Sequence, residues 1–430
     1  MSSKNMDAYV KNIKKIATYT LSVAMFATNV SLTSFGLSGN PSKIDSEIDR
    51  EEYMTEDLDI NLNRRIGLNE ISQDTDTELS EKTESETEEG DYKNNKRDIE
   101  DETLDSDESE EYIKGEYPYI EEDIDTEIES EIVQAMLALS GKLNNDEYDR
   151  LMEYNIYTAE DLYKLAYDVN AGNIKRAKIC LQNDIEVDRD LVPIGTKNHP
   201  FEGVFYGGEH TISGVKMSFP EEDNIGIFGY IGYDGKVLDL NISNSLFVGN
   251  LFVGSICGYI EGLIKGCNNI MSNDSEVVGD KYVGGLVGFN EGAVRNCVNN
   301  FKLKGNDYIG GNIGVNKGVI MFCGNNNEIE GRLYLGGNVG YNYNLVAQVE
   351  NDGKIKGNSR IGGNIGYNEG LLSGARNNKN VFGNYIVGGN VGQNSNETEN
   401  IKNNGEVISE NNFYVGENIG FNENIEFNEE

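Results

Sequence analysis

The chain has 430 residues, with 36 Lys and Arg against 74 Asp and Glu and a formal net charge of -38. So acidic a balance lacks the basic face of a nucleic-acid binder, and no nucleic acid is expected among its partners. The length suits one or two folded domains with further sequence beside them.

Residues 1–40 read as an export signal peptide. Lys11, Lys14 and Lys15 precede a weakly apolar run from Ile16 to Phe35, which ends in the small and turn residues GLSGNP. Thr, Ser and Asn within the run make it a poor membrane span, and no later apolar run has spanning length. The mature chain is therefore expected to have no membrane-spanning segment. With no L-P-x-T-G motif near its end, it is expected to be secreted, or held at the cell surface non-covalently.

Residues 41–130 carry 34 acidic and 9 basic residues with few apolar ones between them. Such a segment cannot bury enough apolar surface to offset its chain entropy and self-repulsion, and it is expected to be a disordered acidic linker.

A helical cap is expected over 131–175. Thr158 stands as N-cap with Asp161 three residues on, and Leu162, Leu165, Ala166 and Val169 share one face of a helix over 158–173. This helix is expected to cover the open N-terminal end of the repeat region. Ile132 to about Tyr157, with Met136, Leu137 and Leu139, is expected to add a second helix.

From 176 to 430 the chain repeats. The string YIGGNIGVN (308–316) looks like a phosphate loop, but Gly310 and Gly311 meet Val315 and Asn316 where a P-loop needs its second glycine. Related strings recur with anchor glycines at Gly229, Gly258, Gly288, Gly314, Gly340, Gly366, Gly392 and Gly420, spaced 29, 30, 26, 26, 26, 26 and 28 residues apart. Repeats of this length bury their apolar side by stacking on one another. Helical units are excluded, because each glycine in the motif would cost a helix about 1 kcal/mol.

The residues just before the anchors include Ile313, Val339 and Ile365, and those four earlier include Ile309, Leu335 and Ile361. Even separation on a strand places both sets on one inward face. Asn312, Asn338, Asn364, Asn390 and Asn418, two before the anchors, are expected on the opposite face with the glycines. Asn290, Asn316, Asn342, Asn368, Asn394 and Asn422, two after, are expected at turns. In a parallel β-helix, equivalent residues lie about 4.8 Å apart, so stacked Asn can form amide ladders. Glycine is expected to supply the unusual dihedrals of the corner. The fold class is mainly β, a parallel β-helix (solenoid) of about eight coils behind a small helical cap.

Cys267, Cys297 and Cys323 each follow an anchor by nine residues, in a column shared with Leu238, Val349, Ala375 and Ile401. A stack of buried thiols fits this pattern, with a strained disulfide or a metal column as alternatives. Six before the anchors come Phe252, Tyr282, Tyr308, Tyr334, Arg360, Ile386 and Tyr414. The aromatic members, Phe252, Tyr282, Tyr308, Tyr334 and Tyr414, form either a structural ladder or a binding surface for sugar rings or a protein.

The segment VGGLVGFNEGAVRNCVNN (283–300) resembles the GLUG motif, a repeat of secreted and surface proteins that include adhesin-like chains and the non-catalytic part of some bacterial IgA-cleaving proteases. TAEDLYKLAYDVNAGN (158–173), PIGT and FEGVFYGGEHTISG resemble the lead-in to such repeats, so the resemblance spans roughly 158–422. It implies a right-handed parallel β-helix, non-enzymatic in most members. From Gly310 onward, Asn replaces the motif's Leu.

Signs of chemistry are sparse. Asp234, Asp239, Asp274, Asp280 and Asp307 share no column, so a paired general acid and base is not legible. His199 and His210 lack the H-E-x-x-H frame, and neither a G-x-S-x-G nor a C-x-x-C occurs. No catalytic residue, metal site or cofactor is expected. The chain reads as a non-catalytic, adhesin-like stalk whose partner is a host or matrix protein or a glycan surface. The alternatives are a polysaccharide lyase or glycoside hydrolase on the same scaffold, and a relative of a protease exosite region.

Overall fold

The computed structural model describes residues 151–272 and 275–423. The expected signal peptide (1–40), the acidic linker (41–130) and most of the second helix expected from Ile132 lie outside them.

The described chain is a right-handed parallel β-solenoid of about ten turns with one helix, α1 (Ala159–Asn170). A typical coil visits four strands in order. Val319–Asn325 lies on a long first face, Ile329–Glu330 on a second, Leu333–Gly336 on a third and Val339–Asn342 on a fourth. Each strand pairs in parallel register with its equivalent one coil on, so Val339 lies between Ile313 and Ile365, and Leu335 between Ile309 and Ile361. All six are fully buried, as the period-two pattern requires. Met217, Phe247, Val277, Leu303, Ile329, Ile355 and Val381 form another inward column on the second face.

The helix follows its sequence signals. Thr158 Oγ1 accepts from the Asp161 amide at 3.3 Å, and Asp161 Oδ2 accepts from the Thr158 amide at 3.0 Å, closing a capping box. Leu162, Leu165, Ala166 and Val169 are buried in the same apolar core as the first coils. The second helix expected to run on to Tyr157 does not: Glu153–Ile156 is a strand, paired with Lys178–Leu181. Ladder hydrogen bonds to the next rung, with Ile156 turned inward, override local preference there. The rungs that begin at Glu153 and Lys178 precede the first anchor glycine and carry no copy of the motif, which is why eight coils are visible in sequence and about ten in structure.

The asparagines depart most from expectation. Asn312, Asn338, Asn364 and Asn390 are not on the outward face but fully buried beside Ile313, Val339, Ile365 and Val391. The chain turns a corner there, so two consecutive side chains both face the interior and period-two alternation fails. Their amides relay along the axis, Asn312 to Asn338 at 2.6 Å, then to Asn364 at 2.7 Å, Asn390 at 2.7 Å and Asn418 at 2.8 Å. A second buried ladder runs from Asn290 through Asn316, Asn342 and Asn368 to Asn394. A third, not anticipated, runs from Asn269 through Asn299, Asn325, Asn351 and Asn377 to Asn403. The N-terminal coils fill these columns with apolar residues: Leu286 precedes Asn312, Ile260 pairs with Asn290, and Ile242 with Asn269. At the first of these seams Asn312 Oδ1 is buried without a hydrogen-bond partner.

Cys267, Cys297 and Cys323 are buried free thiols stacked on successive rungs, the Cys267 amide donating to Cys297 Sγ at 3.4 Å. Burial pushes the Cys267 and Cys323 thiols well above their ordinary range. Leu238 does not share this column. It pairs with Lys265, and Leu240 takes the place beneath Cys267, because the longer spacing of that coil is absorbed ahead of the thiol position.

Replacing one rung of a ladder leaves both neighbouring amides unsatisfied, so Asn338→Leu is expected to lower unfolding stability by about 1–3 kcal/mol although Leu286 occupies the same column upstream. Urea denaturation of the two proteins measures the difference; an unchanged midpoint contradicts a stabilising ladder.

Candidate recognition surface

The residues six before the anchors have an unusual backbone. Phe252, Tyr282, Tyr308, Tyr334, Arg360 and Tyr414 all have φ between 52° and 59°, the left-handed region. For bulky side chains this costs about 1–3 kcal/mol each. The kink turns the aromatic side chain outward at the junction of the third and fourth faces while its successor, Val283 or Leu335 for instance, points into the core. The anchor glycines are not left-handed themselves. Their purpose is close approach: a Cβ on Gly340 would lie 2.7 Å from the Tyr308 carbonyl carbon and 2.6 Å from the Gly314 carbonyl oxygen. The glycine three before most anchors, replaced by Ser255 and Glu417 at two of them, serves another neighbour, since a Cβ on Gly337 would lie 2.3 Å from the Asn351 amide carbon. Glycine therefore makes room for the kinked aromatic column and for the third amide ladder. The corner dihedrals expected of it belong to the aromatic residues instead.

Four of the five aromatic residues singled out in the sequence are brought together. Phe252 stacks on Tyr282 at 4.9 Å between ring centroids, Tyr282 on Tyr308 at 5.1 Å, and Tyr308 on Tyr334 at 4.6 Å. The Arg360 guanidinium continues the column 4.9 Å over Tyr334 and donates from Nε to Gln393 Oε1 at 2.7 Å. Tyr414 is separated from this run by Ile386 and packs instead on Phe413 and Phe421.

A second column, missed in the sequence, stands beside the first. The residues just after the anchors include Tyr230, Tyr259, Phe289, Tyr341 and Tyr367. Tyr230 stacks on Tyr259 at 4.7 Å and Tyr259 on Phe289 at 5.0 Å. An edge contact of Phe252 with Phe289 at 5.5 Å and a tilted contact of Tyr334 with Tyr341 at 5.7 Å join the columns. Within this double column Tyr334 and Tyr341 are 4% and 6% exposed, whereas Tyr414 is 39% exposed. Neighbouring rungs cover the ring faces, so the outer strip offers ring edges and hydroxyls.

Carboxylates edge the strip. The Tyr230 hydroxyl donates to Glu261 at 2.7 Å and the Tyr341 hydroxyl to Glu369 at 2.6 Å, each on the following coil. Burial above all, together with these carboxylates, raises the Tyr230, Tyr259, Tyr341 and Tyr367 hydroxyls far above their ordinary value of 10.0. The sequence signal was present as glutamate three after the anchors, at Glu261, Glu291, Glu369 and Glu423.

Among the described residues, no three His, Cys, Asp or Glu side chains gather closely enough to hold a metal ion. His210 lies against Asp184 at 3.3 Å, and His199 lines a cleft of about 190 Å³ with Gly172, Lys175 and Glu202 beyond the end of α1. The two histidines serve different neighbours. Asp307 is a buried carboxylate paired with Arg332 at 2.7 Å, with no second carboxyl bonded to it. No helix among the described residues is long and apolar enough to cross a membrane.

Set beside known proteins, the sequence matches no family model and no curated protein. Its fold is similar to a crystal structure of a Bacteroides ovatus protein provisionally assigned as an immunoglobulin A1 protease, at 19% identity and a TM-score of 0.42, over 62% of this chain and 84% of that one. The chain is a β-helix scaffold.

Gly340→Ala is expected to cost about 1–3 kcal/mol through backbone overpacking, read as a lower thermal midpoint. A second expectation concerns pH. Tyr341 and Tyr367 keep their protons in the fold above 10.0, where the unfolded chain ionises. Their contribution to stability is therefore complete below pH 10 and lost as pH rises beyond it. The phenolate absorbance that Tyr341→Phe and Tyr367→Phe remove is expected to appear only together with loss of β-sheet circular dichroism, and its appearance in a still-folded chain contradicts the burial described.

Proposed function

We propose that this protein is an exported, non-catalytic binding stalk of the adhesin type, and that its repeats are a variant of the GLUG motif with Asn in place of Leu. The strip Phe252, Tyr282, Tyr308 and Tyr334, with its companion column and glutamate edge, is the contact surface, in which the half-exposed Phe252, Tyr282 and Tyr308 meet the partner and the buried Tyr334 and Tyr341 support them from beneath. The observation that carries this reading is a continuous outward aromatic strip, held by a kinked backbone, on a scaffold whose interior is filled. Sugar recognition by stacking uses an open ring face, and here the neighbouring rungs cover the faces. Ring edges flanked by Glu261, Glu291 and Glu369 suit a protein surface with apolar and cationic side chains, such as a host or matrix protein. Tyr414, more open, extends the surface toward the last coil.

The resemblance to surface repeats, together with the lysines and apolar run at 11–35, supports export. A polysaccharide lyase or glycoside hydrolase on this scaffold requires convergent carboxylates; the glutamates of the strip are instead spread over successive coils and engaged by tyrosine hydroxyls.

Arrays of matrix proteins and glycans, probed with the chain, are expected to give a signal on protein spots. Reversing the edge with Glu291→Lys and Glu369→Lys is expected to weaken that binding about tenfold, chiefly through slower association. Binding indifferent to both reversals, binding to glycans alone, or shortening of acidic polysaccharides in a parallel assay each refutes the reading.

A further inference from the structure

The strands of the long face are buried on both sides through the middle turns. Ile264, Val294, Ile320, Val346 and Leu372 point inward and belong to the main core. Side chains alternate along a strand. Leu263, Ala293, Val319 and Leu345 therefore point outward, yet they are 4%, 9%, 7% and 3% exposed. Leu371 continues their column, and Met321 and Ala347 widen it. Outward positions on the second face behave differently, with Lys302, Lys304, Glu330 and Lys356 all exposed. A strand buried on both faces belongs beneath a second layer. The margin of the strip agrees: burial lowers the proton affinity of Lys236 and Arg295, and Arg295 Nε is buried with no hydrogen-bond partner among the described residues.

One segment of the chain itself fits the strip in pattern, length, tether and charge. Ile132, Met136, Leu139 and Leu143 recur at helical spacing. A helix over these residues is about 18 Å long. Leu263 to Leu371 spans five successive rungs, about 19 Å. The described chain enters on this same face, because Glu153–Ile156 is its first rung and the strand of Leu263 its fifth. That separation is again about 19 Å, and the residues between Leu143 and Glu153 reach about 30 Å when extended. Glu127, Glu129 and Glu131 lie just ahead of the segment, and Lys236, Lys265 and Arg295 lie on the face.

We propose that Ile132–Leu143 packs as an amphipathic helix across the outward strip of Leu263, Ala293, Val319, Leu345 and Leu371, forming a second layer on the flank of the solenoid. The segment then belongs to the side of the stack, away from its N-terminal end.

Hydrogen–deuterium exchange on the full chain tests this. Amides over 132–143 are expected to exchange about a hundredfold more slowly than in an unstructured segment, and Leu139→Asp, which alters no strand, is expected to remove that protection while Val319–Asn325 stays protected. A benzophenone amino acid at position 136 is expected to crosslink within one molecule to peptides spanning 293–347. Unprotected exchange over 132–143 overturns the proposal, as do crosslinks to Ala159–Asn170 or only between two copies of the chain.

Discussion

A buried primary amide must have both its donors and its acceptor engaged, and in this solenoid the ladder asparagines within each run meet that demand largely with the same residue one coil away. Asn342 accepts from Asn316 and donates to Asn368, and its second proton goes to the Asn344 carbonyl at 2.9 Å. The arrangement works only if equivalent residues are superposed at one height step, so the ladders and the strand register enforce each other. An apolar column tolerates a small slip between rungs. An amide column does not, because the slip leaves polar groups unpaired in the interior.

The same register explains why strained backbone persists on the outside. A single left-handed tyrosine is unfavourable, but a column of them brings rings into contact at 4.6 to 5.1 Å along the run from Phe252 to Tyr334. Each ring contact recovers about 0.5–1.5 kcal/mol, and the kink also sends Val283, Ile309 or Leu335 inward. Where the column carries Ile386, the left-handed conformation is absent from that rung. The aromatic strip is thus a product of stacking as well as the proposed surface for a partner.

Much of the architecture was legible because period and polarity coincide. Ile313, Val339 and Ile365 had to share a face, and Thr158 with Asp161 had to begin a helix. What escaped lies where local rules are overridden. Alternation was carried across a corner at Asn338 and Val339, although both side chains turn inward there. The third ladder, from Asn269 to Asn403, was hidden because it lies outside the glycine-rich string. Glu153–Ile156 has no strand signature of its own and is a strand because Lys178–Leu181 offers it an edge. Of the surface, one aromatic column was visible; its companion was obscured by Val315 and Gln393, which interrupt the aromatic sequence without interrupting the column.

The coils between Gly314 and Gly392 share one length of 26 residues and present matching polar rungs at both ends. Any of them can adjoin any other, so whole units could be duplicated or lost without creating a mismatched junction. The boundary at Leu286 and Asn312, where oily and amide interiors meet, occurs once and cannot be copied so freely. The reach of the rod is therefore set by a count of interchangeable parts beyond a fixed base.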